Sequence, residues 1–213
     1  MTTTTGGAAN VLAHLEDNLQ TEWQDLQVYL TSVTEQWETA TIAGPNARNL
    51  MKDVCQDIDL SNEAFPFMSW REGEVLDLPA RVFRISFSGE LAYEINVPAD
   101  YGLALWPGLM DEGRKYNITP YGTESMHVLS AEKGFIIVGQ DTDGSNTPID
   151  MGLEGMVSKK KPYFIGKRSL VRDDIILKDR KQLVGLLTTD PQVVIPEGSH
   201  LLNEPTTTYP APM

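Results

Sequence analysis

The stretch from Ala80 to Val97 constrains the fold most. Two runs with strand-like character flank Ser88-Gly89-Glu90, and strands joined by so short a turn read as an antiparallel hairpin. Upstream, Ala8, Val11, Leu12, Leu15 and Leu19 recur at helical spacing and predict a helix from about Ala8 to Glu22. Gln27 to Val33 alternates and reads as a first strand, and Trp37 to Ala43 reads as a second. Gly44-Pro45-Asn46-Ala47 is a turn with proline placed to open a helix that continues through Arg48 to Val54. Asp57 to Arg71 looks irregular. Beyond the hairpin, Asp100 is a candidate cap for a helix carrying Leu103, Leu105, Trp106, Leu109 and Met110. A further helix covers Thr123 to Lys133 and stops at Gly134. Phe135 to Gly139 and Gln182 to Thr188 read as short strands. Elements mixed in this order indicate an α+β fold with little parallel-sheet character.

Charge narrows the partners. Seventeen basic against 30 acidic side chains leave a formal net charge of -13, which repels phosphate backbones and anionic lipid. Nucleic acid and membrane surfaces are therefore not expected as partners. A single cysteine, Cys55, excludes an internal disulfide framework and fits a reducing cytoplasm. The longest apolar stretches, such as Phe135 to Val138, are too short to span a bilayer.

Few residues carry a chemical signal. Thr5-Gly6-Gly7-Ala8 reads as a tight turn at a helix start rather than a phosphate loop. The acidic turn Asp141-Thr142-Asp143-Gly144 lacks the later glutamate of a calcium loop. His14, His127 and His200 have no zinc-ligand spacing, and no serine elbow or Cys–His arrangement supports a hydrolase. Lys159 to Lys161, with Lys167 and Arg168, form the one basic cluster, either a solvated linker or a landing site for an anion. The informative segment is Ile85 to Ile95, which sets Glu90 and Glu94 among Phe87 and Tyr93. A carboxylate can accept two parallel N–H bonds from a flat heterocycle while aromatic rings stack on it. The same residues also suit a plain hairpin with a solvated glutamate and core aromatics.

Phe87-Ser-Gly89-Glu90-Leu-Ala-Tyr93-Glu94-Ile95 resembles the Tyr-Thr-Gly-Glu-x-Gly-Tyr/Phe-Glu-Ile motif of the glycine-cleavage aminomethyltransferase (T-protein) family. Matches continue in order at Ala43-Gly-Pro45-x-Ala47, Ala131-Glu-Lys-Gly134, Gly139-Gln-Asp-Thr-Asp143 and Phe164-Ile-Gly166-Lys-Arg-Ser-Leu170. Within that superfamily Asp59 to Arg71, Thr119 to Leu129 and Val157 to Lys161 resemble the alpha-subunit branch of the heterotetrameric sarcosine oxidases.

The resemblance implies a T-protein folate-binding fold with the start of a C-terminal β-barrel-like domain. Residues 1–78 would be the remnant of a first α+β lobe, 79–155 a second lobe with the pterin-binding hairpin, and 156–213 a linker and incomplete barrel. In such enzymes tetrahydrofolate captures the methylene of oxidised sarcosine as 5,10-methylenetetrahydrofolate and glycine is released. NAD, FAD and FMN belong to the complete complex with beta, gamma and delta subunits, not to this chain. By resemblance Glu94 grips the pterin ring, with Phe87, Tyr93 and Glu90 beside it. The family's Arg-Asp pair aligns near Met126 and His127, so that folate-tail contact must differ or come from elsewhere. The family's catalytic aspartate aligns upstream of Met1, so no catalytic residue is expected here, and the chain reads as cut at both ends. A lipoyl-dependent aminomethyltransferase and a non-catalytic folate-binding module are the alternatives. Lys161-Pro-Tyr-Phe-Ile-Gly166 lacks the cysteine of the iron–sulfur maintenance branch.

Overall fold

A computed structural model describes residues 1–196, 198–200 and 202. The chain forms two compact units, Met1–Ile136 and Ile137–Met213.

The first unit is built on a four-stranded sheet of β1 (Trp37–Ala43), β2 (Trp70–Val75), β3 (Leu78–Phe83) and β4 (Ala92–Pro98), in the order β1-β4-β3-β2. Every neighbouring pair is antiparallel. β4 is central, pairing Ile42 with Tyr93 on one side and Val82 with Ile95 on the other. Its partner positions with β3 are symmetric about Ser88 and Gly89, as expected for the predicted hairpin. The connection is wider than a tight turn, because residues 84–91 leave the ladder.

Period-two alternation turns Tyr93, Ile95 and Val97 into the core, all at 0% exposure. The helices α2 (Ala47–Val54) and α3 (Gly102–Gly113) join that core through Leu50, Met51, Val54, Leu105 and Leu109. β2 and β3 meet at Leu76-Asp77, both in the left-handed region (φ 55 and 60), a two-residue turn whose twist suits a hairpin. Leu76 is held there by its N–H on the Val54 carbonyl at 2.8 Å, and Gly108 leaves room for its side chain, since a Cβ at 108 would lie 2.5 Å from Leu76 Cδ1.

The helices follow their sequence signals closely. α1 spans Ala8–Thr21, and its apolar stripe is half-buried. α4 spans Thr123–Lys133 and ends at Gly134, whose φ of 72 is the left-handed cap that glycine favours. Other expectations need correcting. Gln27 to Val33 forms no strand, for its alternating residues find no neighbour to pair with and stay largely exposed. Trp70–Val75, the first two residues of which were expected to be irregular, is a strand because β3 supplies its partner. Asp100 lies in the 3-10 turn Ala99–Tyr101 and makes no cap bond to α3. Phe135 to Gly139 runs into a turn, with the Gln140 and Asp141 N–H groups on the Ile137 carbonyl.

The second unit contains no strand among its described residues. Gln182 to Thr188, expected as a strand, forms none and bonds to Asp150 instead, the Leu183 N–H to its carbonyl at 2.9 Å and the Gln182 side-chain amide to its carboxylate at 3.4 Å. The barrel reading from residue 203 onward lies outside the described residues. Asp150 organises this unit instead. Its carboxylate, 3% exposed, receives Arg180 side-on at 2.5 and 2.9 Å, and accepts from the Thr147 N–H and hydroxyl at 2.8 and 3.0 Å. Arg180, followed by the Thr147 bonds, holds the Asp150 carboxyl well below the usual carboxylate range against the opposing cost of desolvation.

A carboxyl lowered in the folded state stabilises the fold above its unfolded value, about 3.9, and that contribution is lost as pH falls through the folded value. Acidification below about pH 4 is therefore expected to loosen the second unit, and Asp150→Asn to do so at neutral pH. Hydrogen exchange at the Thr147 and Leu183 amides measures this. Both should lose protection while the β4 amides keep theirs.

Candidate active site

Alternation gives the sheet a second face, opposite the core. β4 contributes Ala92, Glu94 and Asn96 to it, and the ladder sets Thr41 of β1 and Phe83 of β3 directly beside Glu94. Asn96 Nδ2 donates to Glu94 Oε1 at 3.1 Å, while Asn96 Oδ1 accepts from Thr39 Oγ1 at 2.7 Å. Two strands thus fix the amide, and the amide fixes the carboxylate. Ionised glutamate has about four acceptor positions, so most remain available for donors from a ligand.

Aromatic surface borders this carboxylate. Phe83 stacks on Trp70, ring centres 6.0 Å apart at 24°, and Trp70 is about half exposed at 49%. Farther along the same face, Arg81 lies 4.4 Å over the Trp37 ring and its Nε pairs with Glu72 at 3.0 Å. A central carboxylate beside a stacked aromatic pair can hold a flat, N–H-bearing ring by edge and by face.

The four residues singled out in the sequence separate into three environments. Glu94 sits on the open sheet face. Tyr93, its neighbour, points to the other side, where its ring packs 5.9 Å from Phe65 and its hydroxyl accepts from Arg48 Nε at 3.0 Å. Phe87 and Glu90 lie on the 84–91 loop, which is fastened to α4. The Phe87 carbonyl accepts from Ser130 Oγ at 2.8 Å, leaving the Phe87 residue 46% exposed, and Glu90 pairs with Lys133 at 3.0 Å. Gly89 permits that contact, since at φ 80 an added Cβ would lie 2.6 Å from Lys133 Cβ.

Sequence reasoning missed Phe83, Trp70 and Asn96. Hairpin symmetry about Ser88 and Gly89 names Phe83 as the partner of Glu94, and parity then adds Asn96 on β4. Trp70 needed the hidden β2–β3 pairing.

The remaining candidates are occupied elsewhere. Burial pushes the Cys55 thiol up to about 11, which keeps it protonated at neutral pH. Asp141 and Asp143 accept from N–H groups of their own loop, and no metal-binding group occurs among the described residues. In the second unit a pocket of about 470 Å³ touches Lys161, but the Lys167 amine is turned onto the carbonyls of Lys161 and Pro162 at 2.8 and 3.0 Å. Among the described residues no helix is long and apolar enough to cross a membrane.

The first unit is thus an antiparallel sheet with its helices packed on one face and Glu94 on the other. The GCVT N-terminal domain family matches residues 1–161, and the chain belongs to that family. It is 53% identical to the sarcosine oxidase subunit alpha of Corynebacterium sp. (strain U-96) and 45% identical to that of Rhizobium meliloti (strain 1021), in each case over 95% of this chain. The human mitochondrial dimethylglycine dehydrogenase is 32% identical over 81% of it. The chain spans about a fifth of the length of these relatives, covering 21%, 20% and 20% of them respectively.

Gly89→Ala is expected to lower the thermal stability of the first unit by more than about 1 kcal/mol, because alanine is strained at this φ and strikes Lys133. Thermal unfolding followed by circular dichroism checks it.

Proposed function

We propose that this chain is the tetrahydrofolate-binding portion of a sarcosine oxidase alpha subunit. The observation that carries the reading is Glu94, braced by Asn96 and flanked by Phe83 on the open face of the sheet. A reduced pterin offers adjacent N–H donors along one edge and a flat face, which matches a carboxylate with an aromatic ledge. Tetrahydrofolate enters as a substrate whose amines take up the methylene unit of oxidised sarcosine, giving 5,10-methylenetetrahydrofolate and glycine. Holding those amines beside a reactive imine lets them outcompete water, which would otherwise yield formaldehyde.

In this reading Glu94 orients the ring, Asn96 positions Glu94, and Tyr93 acts from the core by fixing β4. Phe87 and Glu90 border the site from the 84–91 loop. The oxidation belongs to the whole enzyme: NAD, FAD and FMN, together with beta, gamma and delta subunits, are expected in the complete cytoplasmic complex. We place residues 1–78 in its first lobe, 79–155 in its second, and 156–213 in a linker and the start of a β-barrel domain. The pairing of β1 with β4 makes the two lobes share one sheet.

Calorimetric titration of the chain with tetrahydrofolate tests the site. Glu94→Gln keeps the shape and removes the charge. It should cost about 1.5–3 kcal/mol of binding, roughly ten- to hundredfold in Kd. Unchanged affinity in a folded Glu94→Gln variant would rule out a role for this carboxylate in gripping the ring.

A further inference from the structure

A second feature of the first unit is independent of Glu94. A pocket of about 300 Å³ opens beside the 84–91 loop, with Phe67, Leu91 and Phe135 among its walls and Arg84, Ser86 and Glu90 as polar members. Two of the lining residues carry a buried polar atom that meets no protein partner, Arg84 Nε and Ser86 Oγ. Buried donors without partners are costly and uncommon, so their occurrence together on one pocket calls for a ligand or an ordered water.

The geometry of Arg84 says what kind of ligand. Its Nη1 is committed to Asn62 Oδ1 at 2.9 Å and the Phe65 carbonyl at 2.7 Å. Those bonds anchor the guanidinium by Nη1 and leave its Nε, buried behind the pocket wall, without a protein partner. The Nε edge is the one that receives a carboxylate in a side-on fork. Ser86 Oγ, two residues on, supplies a further hydroxyl donor. Glu90 discriminates between anions: although paired with Lys133 at 3.0 Å, its negative charge at the pocket disfavours a dianion such as phosphate over a monoanion.

We propose that this pocket is a carboxylate-binding subsite in which Arg84 Nε and Ser86 Oγ hold the oxygens and Phe67 and Phe135 border the apolar body. A carboxylate can come from a free small acid or from the glutamate end of a folate. The proposal concerns the shared chemistry and does not rest on the pterin reading.

The test follows the Arg84 Nε–H resonance by nuclear magnetic resonance as sodium acetate is added to the 213-residue chain at constant ionic strength. Arg84→Lys, which removes that resonance, assigns it. The proposal expects a saturable shift at Arg84, with the apparent Kd for acetate raised roughly three- to tenfold in Ser86→Ala, the effect of losing one hydrogen bond. Ser86 has no side-chain partner to lose, so this variant keeps the fold. Absence of saturation, or saturation indifferent to Ser86→Ala, would mean the pocket holds only water and would overturn the proposal. Tetrahydrofolate added at saturating acetate separates the two sources. Displacement of acetate assigns the carboxylate to the folate tail, and simultaneous binding assigns it to a free acid. Failure of tetrahydrofolate to bind leaves the acetate result standing.

Discussion

The placement of β4 between β1 and β3 is the constraint on which the rest of the first unit depends. Strand pairing on both edges removes any freedom of register, because a slip of one residue would carry Tyr93, Ile95 and Val97 out of the core. The same alternation that buries those three turns the partly buried Glu94 and Asn96 to the opposite face. Core and candidate site are thus two sides of one strand. Tyr93 anchors that strand from the core side, its buried ring against Phe65 and its hydroxyl accepting from Arg48.

Around that strand the polar groups divide into those spent on structure and those left available. Asn96, Arg48 and Asp150 have partners that define their orientation, and the cluster of Asp53 with Lys115 and Tyr116 links α2 to the segment after α3. Glu94 keeps acceptor capacity beyond Asn96, and Arg84 and Ser86 keep buried donor groups without protein partners. Groups of the second kind are what a ligand recognises. The two sites also differ in sign. The first centres on a carboxylate, the second on a guanidinium.

Much of this was legible in the sequence where a signal was local. β1 coincides with the strand read at Trp37 to Ala43, α4 with a helical run ended by Gly134, and the hairpin centre with Ser88-Gly89-Glu90. What failed depended on partners distant in the chain. Gln27 to Val33 and Gln182 to Thr188 alternate or carry β-formers, but a strand exists only where another edge accepts its hydrogen bonds. The turn at Leu76-Asp77 lacks the Asn-Gly signal that usually marks such hairpins, so β2 went unseen and Trp70 with it. The motif draws Glu94 and Tyr93 together, yet alternation sends Tyr93 into the core, away from the face that carries Glu94. Parity and hairpin symmetry point to Phe83 instead.

The most direct measurement of the central claim is a crystal structure of the chain with tetrahydrofolate bound. The account predicts the pterin edge on the Glu94 carboxylate, with its ring against Phe83 and Trp70 on the open face of the sheet. A pterin held in the second unit, or seated with no contact to Glu94, would contradict it.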